Sequence, residues 1–254
     1  RGIEDLCLAL SRIAGVETLA VSTNGVLLHE KAPVLRGAGI TGVNISLDSL
    51  RPDRFHHITS HTSHDEVLRG IQAAQQAGFP SVKINTVVMR GFNDDELLDF
   101  VAFAIDRALN VRFIEYMPFL GNHWGEVRLM PYCEMKTVVE QRYCLVPVQR
   151  SADVAGPARE FQIDGTHAVI GFISTMTDHA CSSCNRLRLT ADGKLRNCLF
   201  AWEDVDLKAL LRAGVRRETI EAAIRLAVSQ KWDKHPEVNE LIDRQNRTMV
   251  AIGG

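Results

Sequence analysis

The protein has 254 residues, of which 46% are hydrophobic and 24% charged, and its formal net charge at pH 7 is −2. This length suffices for one large domain or two small ones with a buried core. The near-neutral charge gives no argument for nucleic acid or a membrane as a partner, and no apolar run is long enough to span a bilayer. Six cysteines, three of them in one short stretch, favour a reducing compartment over a secreted disulfide framework.

The first half of the chain shows helix and strand patterns in alternation. After an N-terminal helix, strands are predicted at 18–22, 43–48, 81–89 and 111–117. Helices are predicted between them at 27–36, 64–77 and from Asn93, which we expect to cap its helix. Strands separated by helices of this length predict repeated βα units and a parallel sheet.

Polar residues near the predicted strand ends are candidates for binding, because barrels of βα units carry their chemistry where strands end and loops begin. For each one, a satisfied turn or cap residue is the ordinary explanation. Lys83 is the strongest candidate, since a lysine within an apolar strand must either reach solvent or meet an anion. The set comprises Ser22, Thr23, Asn24, Ser46, Asp48, Lys83, Asn85, Glu115 and Met117.

The pattern changes after residue 120, and the loop at 121–125 predicts a boundary between domains at 1–120 and 121–254. The second part predicts a helix at 132–141, antiparallel strands at 161–164 and 168–174, and helices at 206–212 and 217–229. Cys133 and Cys144 have no partner spacing, and we expect both to be buried.

Three cysteines, Cys181, Cys184 and Cys198, stand at the spacing C-x2-C-x13-C, and Arg186 and Arg188 closely follow the second one. Alternating leucines and an Asp-Gly turn predict a hairpin that returns the chain to the third cysteine. Thiolates suit zinc or an iron–sulfur cluster. Structural zinc requires four ligands, whereas a four-iron cluster held by three cysteines leaves one iron open. The arginines would offer paired donors to a phosphate or carboxylate at the same place.

Two other interpretations of this stretch remain open on spacing alone. The C-x2-C pair could be a redox dithiol or two buried small side chains. The three cysteines could also hold zinc, with His179 as the fourth ligand. Either interpretation would leave the arginines as ordinary solvent-exposed side chains.

The stretch Cys181-x2-Cys184-Asn-Arg-Leu-Arg-Leu-Thr-x-Asp-Gly-x4-Cys198-Leu-Phe resembles the C-terminal cluster motif of the radical-SAM GTP 3′,8-cyclases, the molybdenum cofactor biosynthesis A family. Segments of the first half resemble the same family in the same order, at 22–25, 44–49, 82–96 and 112–119. The fold implied by the resemblance is α/β: a partial radical-SAM (βα) barrel missing its first strands, followed by a smaller α+β cluster domain.

The resemblance also implies roles for individual residues. Cys181, Cys184 and Cys198 would hold a [4Fe–4S] cluster whose open iron meets the guanine of GTP. Ser46 and Met117 would lie near S-adenosylmethionine, and a terminal Gly253-Gly254 would reach into the catalytic cavity. The GTP-binding residues would be Ser22, Lys83, Arg186, Leu187 and Arg188.

The activity implied is that of a lyase of molybdenum cofactor biosynthesis. In the intact enzyme, an N-terminal cluster cleaves S-adenosylmethionine, the resulting radical takes hydrogen from the GTP ribose, and C3′ then bonds to C8. The product, (8S)-3′,8-cyclo-7,8-dihydroguanosine 5′-triphosphate, would pass to cyclic pyranopterin monophosphate synthase. The resemblance leaves a homodimer open. The expected location is the cytoplasm of a bacterium or the mitochondrial matrix of a eukaryote.

Two departures from the family pattern limit what this chain is expected to do. The family's N-terminal C-x3-C-x2-C motif has no counterpart, since Cys7 stands alone, and an arginine common in the family is absent from 60–63. We therefore expect a fragment that is inactive by itself, with the second cluster only in the intact protein and an uncovered edge strand at 17–23. Alternatives are a non-catalytic cluster- or GTP-binding module and a zinc-stabilised structural domain.

Overall fold

A seven-stranded sheet, dominated by parallel strands, organises the larger part of the fold in this computed structural model. The structure describes residues 2–122, 124–149, 156–178, 181, 184–243 and 248–252. The strands run in the spatial order β1-β2-β3-β4-β7-β6-β5. They are β1 Ala20–Thr23, β2 Gly42–Ser46, β3 Ser81–Val88, β4 Asn110–Glu115, β5 Leu145–Pro147, β6 Arg159–Ile163 and β7 Val169–Ile173.

The pairing confirms the expected parallel sheet and extends it. Strands β1 to β4 pair in parallel in chain order, with β1 at the edge of the described sheet. Strands β6 and β7 are antiparallel, as predicted, but β7 also pairs in parallel with β4. The first sheet therefore includes a hairpin that the sequence pattern assigned to the second domain.

Helices cover the apolar face of this sheet. They are α1 Ile3–Ser11, α2 Leu28–Gly37, α3 Pro52–Thr59, α4 His64–Gln76, α5 Leu97–Arg107 and α6 Tyr132–Glu140. All except α3 were predicted. The fully buried side chains of Ile45 and Ile84 alternate with polar neighbours along their strands. They join Phe113 of β4 and Ile71 and Phe100 of the helices in one core.

Helices α2 and α4 pack closely because glycines stand at the point of approach. An added Cβ at Gly70 of α4 would lie 2.3 Å from the carbonyl oxygen of Gly25, just before α2. Gly25 itself has a φ of 79°, a left-handed conformation that side chains disfavour. Both glycines are thus required by the packing of this helix pair.

The predicted cap of the helix at 94–107 is wrong. Asn93 makes no side-chain cap bond to the short 3₁₀ turn Asp94–Glu96, which leads into α5. Its amide instead bonds the main chain at the ends of β2 and β3. The prediction that Cys133 and Cys144 are buried is also wrong, because both are exposed.

Residues 188–243, all of them described, contain a second, small sheet and three α-helices. Strands β8 Arg188–Leu189, β9 Lys194–Arg196 and β10 Val205–Asp206 are antiparallel, in the order β10-β9-β8. The β8–β9 pair confirms the predicted hairpin. The helices are α7 Leu207–Arg212, α8 Arg217–Ser229 and α9 Val238–Asp243, of which α7 and α8 were predicted. No helix in the described ranges is long and apolar enough to cross a membrane.

The internal contacts divide the chain into two units. The first comprises Arg1–Glu115, Arg128–Arg150 and Ala158–Ser174, and the second comprises Tyr116–Val127, Ser151–Pro157 and Thr175–Gly254. The predicted boundary between domains at residue 120 stays a prediction.

Candidate functional site

On the polar face of the first sheet, the predicted residues Ser22 and Lys83 lie in one row with Asn44. Ser22, Asn44 and Lys83 are in register across β1, β2 and β3, so their side chains project from the same face. The Asn44 amide donates to the Ser22 hydroxyl at 3.4 Å. Lys83 therefore lies within the strand rather than at its end, and it stands beside hydroxyl and amide groups that suit an anionic ligand.

A second row on this face contains Ser46, Asn85 and Arg112, again in register. Arg112 Nη2 and Glu160 Oε1 are 2.8 Å apart, with side chains 10% and 9% exposed. The pair forms across β7 at Gly171, where an added Cβ would lie 3.0 Å from Arg112 Cγ. Ser46 is the exposed member of this row, at the carboxyl end of β2.

A hydrogen-bond network fixes the strand ends beside Ser46. Asp48 Oδ1 accepts from the Val87 N–H at 2.8 Å, and Asn93 Nδ2 donates to the Asp48 carbonyl at 2.7 Å. Asn93 also bonds the main chain at Val87 and Met89. Burial raises the pKa of Asp48 to about 6, although the Val87 N–H opposes this shift. The network holds the ends of β2 and β3 together.

A buried carboxylate anchors the segment that follows β2. Glu96 is fully buried and accepts from the Ser49 hydroxyl at 2.8 Å and from the Leu50 N–H at 2.7 Å. Arg54 Nη1 donates to the same carboxylate at 2.6 Å. The loop after the Ser46 strand is thereby fixed to the start of α5.

Two further strand-end residues have local structural partners. Glu115 accepts from the Tyr132 N–H at 2.8 Å and so satisfies the start of α6. The Met117 carbonyl accepts from Asn122 Nδ2 at 2.7 Å. The first bond gives Glu115 a structural role, and the second fixes the Met117 backbone. The Met117 side chain is partly buried.

The cysteine hairpin lies in the second unit. Cys181, Cys184 and Cys198 are free and partly buried, and the Cys184 N–H donates to the Cys181 carbonyl at 3.0 Å. Burial raises the pKa of Cys198, and the charges of the other two thiolates act in the same direction. Burial also acts to raise the pKa of Cys184, but hydrogen bonds from Arg186 and the charge of Lys231 bring it below its ordinary value. The three thiols thus share one neighbourhood.

The donor set fits an iron–sulfur cluster in kind, since the three free cysteines that flank the hairpin are soft ligands. In the described ranges, no three ligating side chains form a ready-made metal-binding group. A cluster would therefore have to draw the three sulfurs together. His179, the alternative zinc ligand, and Gly253-Gly254 lie outside the described residues.

Arg186 and Leu187 are exposed on the hairpin. Arg188 is partly buried and lies opposite Arg196 in the register of β8 and β9. Burial lowers the pKa of Arg188, as do the nearby charges of Arg186 and Arg196, while Cys198 and Cys184 oppose the shift. Arg196 is already paired, with its Nε 2.8 Å from Asp204 Oδ1. Among the residues that the structure describes, no carboxylate pairs with Arg186 or Arg188. An anion at this place would relieve the repulsion between the arginines.

Sequence reasoning missed several residues that shape these places. Arg112, Asn93 and Glu96 lie within segments that resemble the family, but nothing in the sequence alone showed their partners. Lys231, 45 residues beyond Arg186, had no signal at all and proves to contact the cysteine hairpin.

Family models match nearly the whole chain. The Radical SAM superfamily model matches residues 1–104. This range includes β1 to β3 and therefore Ser22, Lys83 and Ser46. The Molybdenum Cofactor Synthesis C model matches residues 109–237, which include the cysteine hairpin. The fold and these matches define the class as radical SAM proteins of molybdenum cofactor synthesis.

Individual relatives narrow this class. GTP 3′,8-cyclase of Moorella thermoacetica is 42% identical over 254 residues, covering 100% of this chain and 78% of the relative. Mitochondrial GTP 3′,8-cyclase of Arabidopsis thaliana is 42% identical over 255 residues, covering 100% of this chain and 65% of the relative. Molybdenum cofactor biosynthesis protein 1 of Mus musculus is 41% identical over 251 residues, or 99% of this chain and 39% of the relative. The chain belongs to the GTP 3′,8-cyclase family, although it spans less than two thirds of the plant and mouse relatives.

Proposed function

We propose that the protein binds GTP and a [4Fe–4S] cluster for the S-adenosylmethionine-dependent conversion of GTP to (8S)-3′,8-cyclo-7,8-dihydroguanosine 5′-triphosphate in molybdenum cofactor biosynthesis. The observation that carries the proposal is the hairpin, where three free thiols accompany two arginines that have no described carboxylate partner. The family supports the choice of GTP, because relatives named GTP 3′,8-cyclase match over the whole chain.

In this proposal, Cys181, Cys184 and Cys198 hold the cluster. A cluster bound by three thiolates supplies one iron with an open coordination position, to which a base nitrogen or oxygen can bind. The protein's own contribution is to carry the three cysteines on the two arms of one hairpin and to place positive charge near them. That charge comes from Arg186, Arg188 and Lys231.

Arg186 and Arg188 serve as donors to GTP, with Leu187 between them on the hairpin. Guanidinium groups suit phosphate because they present two parallel N–H donors. On the first unit, Lys83 and Ser22 offer an ammonium and a hydroxyl in one row. Each of these two sets, taken within its own unit, offers donors that suit a phosphate group.

Ser46 and Met117 contact S-adenosylmethionine in this proposal. Ser46 is exposed at the carboxyl end of β2, where the Asp48 and Asn93 network fixes the backbone. The parallel strands would belong to a radical-SAM partial barrel whose polar face meets the ligands. The protein would act in a bacterial cytoplasm or a mitochondrial matrix and supply a cyclic pyranopterin monophosphate synthase with its substrate.

Anaerobic reconstitution with iron and sulfide tests the metal assignment. We expect about four irons per chain in the wild type, as for a single [4Fe–4S] cluster. Cys198→Ser should lose most of this iron, whereas Cys133→Ser should keep it because Cys133 is exposed and outside the hairpin. Zinc in place of iron, or equal loss from both variants, would contradict the assignment.

Equilibrium binding to the reconstituted protein tests the nucleotide assignment. Arg188→Ala should weaken GTP binding about tenfold or more, because it removes a charged hydrogen-bond donor. Arg217→Ala is the matched control, since Arg217 is an exposed arginine on α8 paired only locally with Glu221 at 2.8 Å. The nucleotide proposal fails if GTP binds both variants as tightly as the wild type.

A further inference from the structure

The end of α8 is bonded to the segment that carries Cys198. Asn197 Nδ2 donates to the carbonyl oxygens of Ala227 and Gln230, both at 3.1 Å. The last carbonyls of a helix have no partner within the helix, so these two bonds satisfy groups that otherwise need water. The residue next to a predicted cluster ligand thus caps α8.

Lys231, directly after this helix end, reaches back to the same hairpin. Its Nζ donates to the carbonyl of Asn197 at 2.6 Å and to the carbonyl of Arg186 at 2.8 Å, and it lies 3.8 Å from Cys184 Sγ. Asn197 adjoins Cys198, and Arg186 is two residues beyond Cys184. One ammonium therefore connects the two arms of the hairpin that carry cysteines.

An aromatic contact supports this position of Lys231. Trp232, the next residue, packs edge to face against Trp202, with ring centroids 5.0 Å apart. Trp202 lies four residues after Cys198 on the same arm of the hairpin. Such an aromatic pair contributes about 0.5–1.5 kcal/mol beyond its buried area, so the segments after Cys198 and after Lys231 are joined by more than the hydrogen bonds of the lysine.

We infer that Lys231 is a positioning residue of the cluster site, which fixes the spacing of the Cys184 and Cys198 arms and places a positive charge beside the sulfurs. The inference rests on the proposed function, because it takes these cysteines as cluster ligands. Hydrogen bonds and net charge near the sulfurs help to set the reduction potential of an iron–sulfur cluster. Since reduction adds negative charge, removal of the ammonium should make the midpoint potential more negative.

Three variants separate the two contributions of Lys231, which are its hydrogen bonds between the hairpin arms and its positive charge beside the sulfurs. Lys231→Met removes both, Lys231→Gln keeps a donor without the charge, and Lys231→Arg keeps both the charge and donors. The matched control is Lys234→Met, because Lys234 is exposed and its Nζ, among the described residues, bonds only the nearby Glu237, at 2.7 Å.

Hydrogen exchange of the metal-free protein gives a readout that needs no cluster. Amides at 184–198 should exchange about tenfold faster in Lys231→Met, the size expected for the loss of a charged hydrogen bond. Lys234→Met should match the wild type. After reconstitution, Lys231→Met and Lys231→Gln should both show a more negative midpoint potential, and Lys231→Arg should restore it.

Unchanged exchange at 184–198 together with an unchanged midpoint in Lys231→Met would overturn the inference. If Lys231→Met does not fold by circular dichroism, Lys231→Gln and Lys231→Arg decide it, since only the former should shift the midpoint. A wild-type protein that takes up no iron would instead overturn the proposed function. In that case the exchange measurement still decides whether Lys231 fixes the hairpin.

Discussion

Replacement of Glu96 by glutamine should weaken the fold around the candidate S-adenosylmethionine residue. The Glu96 carboxylate is fully buried and accepts from Ser49, Leu50 and Arg54 at 2.6–2.8 Å. Glutamine has the same shape, but it replaces an acceptor oxygen by an NH₂ donor that must face another donor. It also removes the negative charge opposite Arg54.

The structure sets the size of this effect. Loss of one partner from a buried pair costs about 3–5 kcal/mol in the free energy of unfolding. Arg54 is 21% exposed and keeps its bond to Asp95 at 2.5 Å, which reduces the penalty. We therefore expect about 2–3 kcal/mol, which corresponds to a fall in Tm of roughly 5–10 °C for a chain of this size.

Thermal and urea denaturation followed by circular dichroism measure the change. Asp99→Asn is the matched control, because Asp99 lies 3.9 Å from Arg51 Nη2 and both side chains are about half exposed. Such an exposed pair contributes about 1 kcal/mol or less to the free energy of unfolding. A Glu96→Gln protein as stable as the wild type, or a loss of the same size in Asp99→Asn, would refute the reasoning.

Two other substitutions test the packing and the strand-end network. Gly70→Ala should destabilise the protein by about 1–3 kcal/mol or more, because the new Cβ would lie 2.3 Å from the Gly25 carbonyl oxygen. The control is Gly37→Ala, which has open space around it and should be neutral or stabilising. Equal Tm values for the two variants would refute this prediction. Asp48 has a pKa of about 6, above its ordinary 3.8, so its contribution to stability is present below pH 4 and lost as the pH rises through 6. Asp48→Asn keeps an acceptor for the Val87 N–H. The free energy of unfolding of this variant should exceed that of the wild type by about 1–3 kcal/mol at pH 8 and match it near pH 4. A difference in urea denaturation that does not change with pH would contradict the prediction.

Local sequence patterns predicted most helices and strands because their signals lie within a few residues. The helix expected at 217–229 is α8, Arg217–Ser229, and the hairpin between Cys184 and Cys198 turns where Asp192-Gly193 indicated. Helix α3 was missed because its eight residues contain few apolar side chains.

Long-range pairing accounts for the parts that were not predicted. The sequence pattern did not fix the sheet to which β7 belongs, because its pairing with β4 joins residues 59 positions apart, such as Asn110 and Val169. Asn93 resembles a helix cap in sequence, but Asp48 and Val87 offer its amide better-placed partners. The Arg112–Glu160 pair likewise requires Gly171 between its members, which no local pattern reveals.

The candidate site likewise has one part that local sequence predicted and another part that only the structure showed. Residue types and spacing on the cysteine hairpin predicted a soft-metal site with an anion-binding neighbour, because those signals are contiguous. The row of Ser22, Asn44 and Lys83 became visible only with the strand register. Lys231 became visible only with the docking of α8 on the hairpin.

Electron paramagnetic resonance of the reduced, reconstituted protein with and without GTP tests the central claim most directly. The claim is that the hairpin holds a cluster whose open iron and neighbouring arginines receive the nucleotide. We expect about four irons per chain and a cluster signal that changes when GTP is added. A cluster signal unaffected by saturating GTP, or zinc in place of iron, would contradict the claim.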